Sequence, residues 1–116
     1  MAVTYNTVID QGADWYINFT YENPAGTPVN ITSYTAALQV RTSPLAATTV
    51  LSLATGGNGI VITGATGLVA VHATAVQTGN ITNGRYTYDL EITSPTSIVT
   101  RLVQGTIDVS AQTTRL

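Results

Sequence analysis

Arg85-Tyr86-Thr87-Tyr88-Asp89-Leu90-Glu91-Ile92-Thr93 alternates polar and large apolar side chains without interruption. Tyr86, Tyr88, Leu90 and Ile92 therefore fall on one side of an extended chain, the period of a strand with one buried face. A second long strand is expected from Ile98 to Ser110, joined to the first across Pro95. A three-residue loop, Pro95-Thr96-Ser97, sets Glu91 opposite Arg101 on the polar face and Leu90 opposite Leu102. A four-residue loop would set Leu90 against Arg101 and bury charge beside an apolar side chain, which is costly. Val103, Ile107 and Val109 have the opposite parity from Leu102, so a bulge is predicted between Val103 and Gly105.

Shorter runs of the same kind lie upstream. Val3 to Ile9 places Val3, Tyr5 and Ile9 on one side, and Asp14 to Tyr21 does the same with Trp15, Ile17, Phe19 and Tyr21. Asn23-Pro24-Ala25-Gly26, followed by Pro28, reverses the chain, because proline sets φ and removes a donor while glycine accepts positive φ. Ala36, Leu38 and Val40 mark a third strand ending near Arg41, and Val50 to Leu53 a fourth before the Gly56-Gly57-Asn58-Gly59 turn. Ile60 to Thr63 and Leu68 to Thr74 form a hairpin around Gly64-Ala65-Thr66-Gly67, and Ala75 to Asn80 suits a single helical turn. Seven or eight short strands with turns between them and no amphipathic helix predict an all-β protein, an immunoglobulin-like antiparallel β-sandwich.

Composition agrees with one such domain spanning 1–116. The chain has 116 residues and 44% hydrophobic content, enough for a single core. Val, Ile and Thr fill 43 positions against 10 charged ones, a balance that favours pleated sheet. No cysteine is present, which excludes disulfides, thiolate nucleophiles and cysteine-ligated metals. A net charge of -2, with four Arg and no Lys, does not supply the phosphate neutralisation that nucleic-acid binding needs. Met1 to Ile9 carries no basic residue or long apolar stretch of a secretory signal, and the aliphatic runs are too short to span a bilayer, so no export and no membrane partner are expected.

The residues that carry chemistry point away from catalysis. His72 is the one histidine, and its alternation partners Leu68 and Ala70 place it on a strand face as a structural or exposed side chain. Asp89 and Glu91 point the same way at about 7 Å spacing. That spacing fits an acid and base pair. Thr87 and Thr93, however, continue a polar stripe, and nothing apolar is in sequence position to raise either pKa. Asp10, Asp14, Asp89 and Asp108 lack the spacing of a calcium loop. The glycines from Gly56 to Gly67 match neither a dinucleotide fingerprint nor a phosphate loop, which would need Lys. Three Asn-x-Thr matches, at Asn18, Asn30 and Asn80, are those expected by chance in a Thr-rich chain. Tyr5, Tyr16, Tyr21 and Tyr34 are candidates for a sugar platform, which keeps a carbohydrate-binding module as an alternative. The chain reads as no enzyme, with no cofactor and no metal site.

Charged residues make up 9%, well below the ~25% usual for soluble domains. Interface centres are depleted in charge, so this composition suits a subunit buried among other subunits. Four segments carry a resemblance: Ile9-Asp10-Gln11-Gly12-Ala13-Asp14-Trp15, Asn30-Ile31-Thr32-Ser33-Tyr34-Thr35-Ala36, Gly84-Arg85-Tyr86-Thr87-Tyr88-Asp89-Leu90 and Val99-Thr100-Arg101-Leu102-Val103-Gln104-Gly105. In order and spacing the chain resembles small tailed-bacteriophage virion proteins, and is similar to the immunoglobulin-like N-terminal module of phage baseplate upper proteins. The resemblance implies a virion location, other virion proteins as partners, and repeated copies in a symmetric assembly. No fibre shaft or receptor-binding region follows the module before Leu116, so the implied role is an assembly or adaptor subunit of the tail, baseplate, fibre-attachment or neck region. Capsid decoration is the alternative. One or both of the first strand, without Lys, charge or proline from Met1 to Ile9, and the tail from Ala111 to Leu116 are expected to meet neighbouring subunits, with Tyr5, Tyr16 and Arg115 as contact residues.

Overall fold

The computed structural model describes residues 3–114. Nine strands run in order as β1 (Val3–Thr4), β2 (Thr7–Asp10), β3 (Trp15–Thr20), β4 (Thr35–Arg41), β5 (Leu51–Ala54), β6 (Ile60–Thr63), β7 (Leu68–Ala73), β8 (Gly84–Thr93) and β9 (Val99–Ser110). A 3-10 turn (Gly64–Thr66) links β6 to β7, and a short helix, α1 (Ala75–Gly79), follows β7. The larger sheet has the order β1-β9-β8-β4-β5, with β2 also on β9, and the smaller has the order β3-β7-β6. The chain changes sheets after β2, after β3, after β5 and after β7, which stacks the two sheets over one core.

The alternation read from the sequence is the alternation that packs. On β8 Tyr86, Tyr88, Leu90 and Ile92 are buried, on β4 Ala36, Leu38 and Val40, and on β7 Val69, Val71 and Ala73. Leu38 stands opposite Leu90 in the β4–β8 ladder, and both are fully buried. Trp15, Leu53, Val103 and Ile107 complete the core, and Ile31 and Ile81 plug it from the loops. Fully burying a side chain of this size is worth about 1.5–3 kcal/mol, which explains why a chain without disulfides holds two layers together.

The first strand departs from the antiparallel expectation. β1 and β2 pair with β9 in parallel, with Val3 opposite Val103 and Ile9 opposite Val109. They are two pieces of one edge in continuous register, interrupted at Tyr5 and Asn6. Of Val3, Tyr5 and Ile9, expected on one buried face, Ile9 alone is buried, while Val3 is 63% and Tyr5 47% exposed. Val3 and Tyr5 line an open cleft with Ile17, Phe19 and Leu102, whereas Ile9 is enclosed in the core.

The final hairpin confirms one register and corrects another. Glu91 stands opposite Arg101, as the three-residue loop requires, but Leu90 stands opposite Val103, not Leu102. The irregularity falls between Leu90 and Glu91 on β8, which makes Leu102 the extra residue. The ladder then runs unbroken through Gln104 and Gly105, where the bulge had been expected. Parity demands one extra residue somewhere between Arg101 and Ile107. Placing it at Leu102 buries Leu102 and Val103 together, whereas a bulge at Gly105 would bury neither a second side chain nor any additional apolar area.

At the other end of the sandwich α1 is capped by a box in which Thr74 accepts from the Gln77 amide and the Gln77 side chain accepts from the Thr74 amide. The buried Thr78 hydroxyl donates to the Ala13 carbonyl at 2.8 Å and accepts from the Gly12 amide at 3.1 Å. The Gln11 side chain donates to the Ile81 carbonyl and accepts from the Gln112 amide. Gly12, at φ +83°, has the Gln112 side chain where a Cβ would stand. These bonds join the β2–β3 turn, α1 and the chain after β9 into one polar knot.

Candidate functional site

Charge is segregated between the two outer faces. Arg41, Arg85, Asp89, Glu91, Arg101 and Asp108 all occupy outward positions on β4, β8 and β9, six of the ten charged side chains of the protein. Most of them neutralise one another. Arg85 meets Asp108 at 2.8 Å, and this pairing raises the Arg85 pKa further and holds the Asp108 carboxyl below its usual range. Arg101 lies 3.5 Å from Asp89 and donates to the Gln104 side chain at 3.1 Å. Its ladder neighbour Glu91 is thus not its ion partner, because the bulge at Leu102 lets the guanidinium lean along β8 toward Asp89. Arg41 donates to Gln39 at 2.8 Å and to the Ala46 carbonyl at 2.9 Å. A groove of about 560 Å³ runs over this face between Arg41, Glu91, Arg101 and Thr106. Within it Arg101 pairs with Asp89, and no exposed aromatic ring lines it.

The outer face of the small sheet contrasts with it. Tyr16, Asn18 and Thr20 from β3, Leu68, Ala70 and His72 from β7, and Val61 and Thr63 from β6 present no Asp, Glu or Arg. Tyr16 and Val61 are 68% and 67% exposed. At one corner His72 Nε2 lies 3.0 Å from Asp14 Oδ2, and the imidazole stacks on Tyr16 with centroids 4.3 Å apart and planes 5° apart. The second Asp14 oxygen accepts from the Ala75 amide at 2.8 Å. His72 and then the Ala75 amide stabilise the carboxylate and lower its pKa. An Asp–His pair could orient a base, yet among the described residues no hydroxyl nucleophile hydrogen-bonds His72. The pair fastens β7 and α1 to the β2–β3 turn. Among the described residues no three of His, Asp and Glu converge on a point that a metal ion could occupy. Asp14 and Asp108 are committed to His72 and Arg85.

Tyr16 is on β3 itself, and Tyr5 packs against β3 from the break between β1 and β2. The Tyr5 ring meets Phe19 edge-on at 6.0 Å, and its backbone amide donates to the Gln104 carbonyl at 2.8 Å. Tyr88 donates to the Tyr5 carbonyl at 2.6 Å, and burial, with a smaller contribution from Tyr5, pushes the Tyr88 pKa up to about 12. Beside Tyr5 an apolar cleft of about 310 Å³ opens among Val3, Ile17, Phe19, Leu102 and Val103. Tyr21 and Tyr34 pack against the core instead, so the four tyrosines form no shared platform. Arg115 lies outside the described residues. Gly105 carried a legible signal for the Tyr5 crossing, since an isolated glycine inside a strand marks a close backbone approach. The β3 edge had none, because pairing partners of a strand are a property of the whole chain.

The order of strands, the parallel first strand on β9 and the crossing connections define an immunoglobulin-like β-sandwich. Tyr86 adds a local mark of that class: it stands near the start of β8 and its hydroxyl donates to the Thr82 carbonyl four residues upstream, as in a tyrosine corner. No family model matches the chain, and no curated protein matches it. Among solved structures the chain is similar to Drosophila OTK, extracellular domains 3-5, at 16% identity and a TM-score of 0.36, over 92% of this chain and 32% of that one. The chain thus spans about a third of that structure. Among the described residues no helix is long and apolar enough to cross a membrane.

Proposed function

We propose that this protein is a non-enzymatic structural subunit of a tailed-bacteriophage virion, an assembly or adaptor component of the tail, baseplate, fibre-attachment or neck region. The observation that carries the reading is the segregation of charge. Six of ten charged side chains gather on one outer face and largely pair among themselves, which leaves the small sheet uncharged with Tyr16 and Val61 exposed. A surface poor in charge and with exposed aromatic and aliphatic groups suits lasting contact with other subunits. The four segments that resemble phage virion proteins supply the kind of assembly. Gln11, Gly12, Asp14 and Trp15 of the first segment, and Arg85, Tyr86 and Tyr88 of the third, each have a structural task here, so these motifs belong to the scaffold and transfer no chemistry. A sugar-binding role has less support, because the polar groove lacks an exposed ring and Tyr16 has one face on His72.

Quantitative mass spectrometry of purified virions tests the proposal. About six or twelve copies per particle fit a tail, baseplate or neck ring. Hundreds of copies would move the role to capsid decoration, and absence from the particle would overturn it.

A further inference from the structure

The two sheets have four outer edges, and three of them are protected. The β1/β2 edge is broken at Tyr5 and Asn6 and carries Asp10. Beyond β5 the following turn folds back, with the Ala54 amide donating to the Asn58 carbonyl at 2.8 Å and Ala54 bridging Gly59. β6 has four residues, and the Gly64 carbonyl just past it accepts from Ile31. The fourth edge, β3, runs for six residues, Trp15 to Thr20, without charge, proline, glycine or bulge. Lys, proline, bulges and interruption are the devices that keep natural edges from pairing, and β3 has none of them.

The hydrogen-bonding groups it leaves free among the described residues can be assigned. The Tyr21 amide donates to the Gly67 carbonyl at 2.8 Å, in register with the Trp15–Ala73, Ile17–Val71 and Phe19–Val69 pairs. Antiparallel residues alternate in direction, so these odd-numbered residues face β7 while Tyr16, Asn18 and Thr20 turn their N–H and C=O groups to the open side. Side chains along the same edge are incompletely covered. Ile17 and Phe19 are half-buried and line the apolar cleft beside Val3 and Tyr5.

We infer that β3 pairs with β3 of a second copy of this chain, antiparallel about a two-fold axis at Asn18, and joins two three-stranded sheets into one of six. A second copy is the occupant because the edge complements itself. In this register Ile17 meets Phe19 of the other copy on the inner side, which closes both clefts, and Tyr16 meets Thr20 on the outer side. Asn18 meets its own counterpart, where two side-chain amides can bond to each other. An uncharged edge offers nothing to steer a charged strand, and it sets no like charges against each other within the six residues. The pairing adds about six backbone hydrogen bonds, from the Tyr16–Thr20 pair, its symmetry mate and the central Asn18 pair. An isologous contact of this kind closes on itself as a dimer. Asp14 and Glu22, just outside the strand, come opposite each other at both ends, so their repulsion stops the ladder there and association strengthens with ionic strength.

The test is sedimentation equilibrium of the full chain across a concentration series, for the natural protein, Asn18→Lys, Asn18→Glu and an equimolar mixture of the two variants. Asn18 is exposed, so both variants should keep the circular dichroism and melting temperature of the parent. The natural chain should reach twice the monomer mass, each variant alone should raise the dissociation constant about tenfold or more, and the mixture, with opposite charges across the axis, should recover most of the loss. Amide exchange of the natural chain is an independent readout: Asn18 and Thr20 should slow as concentration rises. A chain that stays monomeric to about millimolar concentration, a dimer indifferent to Asn18→Lys, or exchange at Asn18 that ignores concentration would each overturn the pairing. The inference stands apart from the virion role, because a chain that dimerises through β3 but is absent from particles keeps the one and loses the other.

Discussion

The Tyr5 carbonyl crosses directly over Gly105, so close that a Cβ at Gly105 would collide with it. That crossing splits β1 from β2. It also brings the carbonyl to the Tyr88 hydroxyl at 2.6 Å, while Asn6 Oδ1 accepts from the Thr106 amide at 3.0 Å. Gly105→Ala must push the first strand off β9 and is expected to cost about 1–3 kcal/mol in urea unfolding. Gly79→Ala, where an added Cβ would meet Gly12 Cα at an ordinary 3.8 Å, is the control and should change stability little.

Tyr88→Phe removes the hydroxyl and leaves the Tyr5 carbonyl without that donor, at an expected cost of about 1–2 kcal/mol. The same hydroxyl predicts an alkaline limit. Its pKa is raised from 10.0 to about 12 in the folded protein, so the unfolded chain loses its proton first. Stability should therefore fall as pH rises from 10.0 to about 12, and Tyr88→Phe should lose less over that interval than the parent. Thermal melts across the alkaline range make the comparison.

Asp14 predicts the opposite limit. Its folded pKa lies below the ordinary 3.8, so its contribution is present above 3.8 and is lost as pH falls through the lower folded value. Asp14→Asn should be less stable than the parent near neutral pH, and the difference should close in acid. In the variant the Ala75 amide should exchange faster at neutral pH, since its carboxylate acceptor is gone.

Thr78→Val is close in shape but has no hydroxyl. The Gly12 amide loses its acceptor and the Ala13 carbonyl its donor, in a buried setting, so a loss of about 1–3 kcal/mol is expected. Amide exchange at Gly12 locates the effect: protection should drop there and not in β8.

Local alternation was enough to place β3 to β9, because a strand's inward residues are set by period two wherever a core lies on one side, and the three-residue loop at Pro95 was enough to set Glu91 opposite Arg101. Parity also demanded a bulge in β9, since Leu102 and Val103 cannot both point inward along a regular strand. Its position at Leu102 was not readable, because that choice depends on which site lets both side chains reach the core, and the core is built by the other sheet. The parallel pairing of β1 and β2 with β9 was equally hidden, since the partners are a hundred residues apart in sequence and Gly105 takes its meaning only when Tyr5 lies above it. His72 was legible as a side chain on a strand face, but its bond to Asp14 was not, as nothing local links positions 14 and 72. The scarcity of charge could be counted in the sequence. The gathering of six of the ten charged side chains on one face, and the bare β3 edge on the other sheet, were decided by how the strands stack, which only tertiary structure determines.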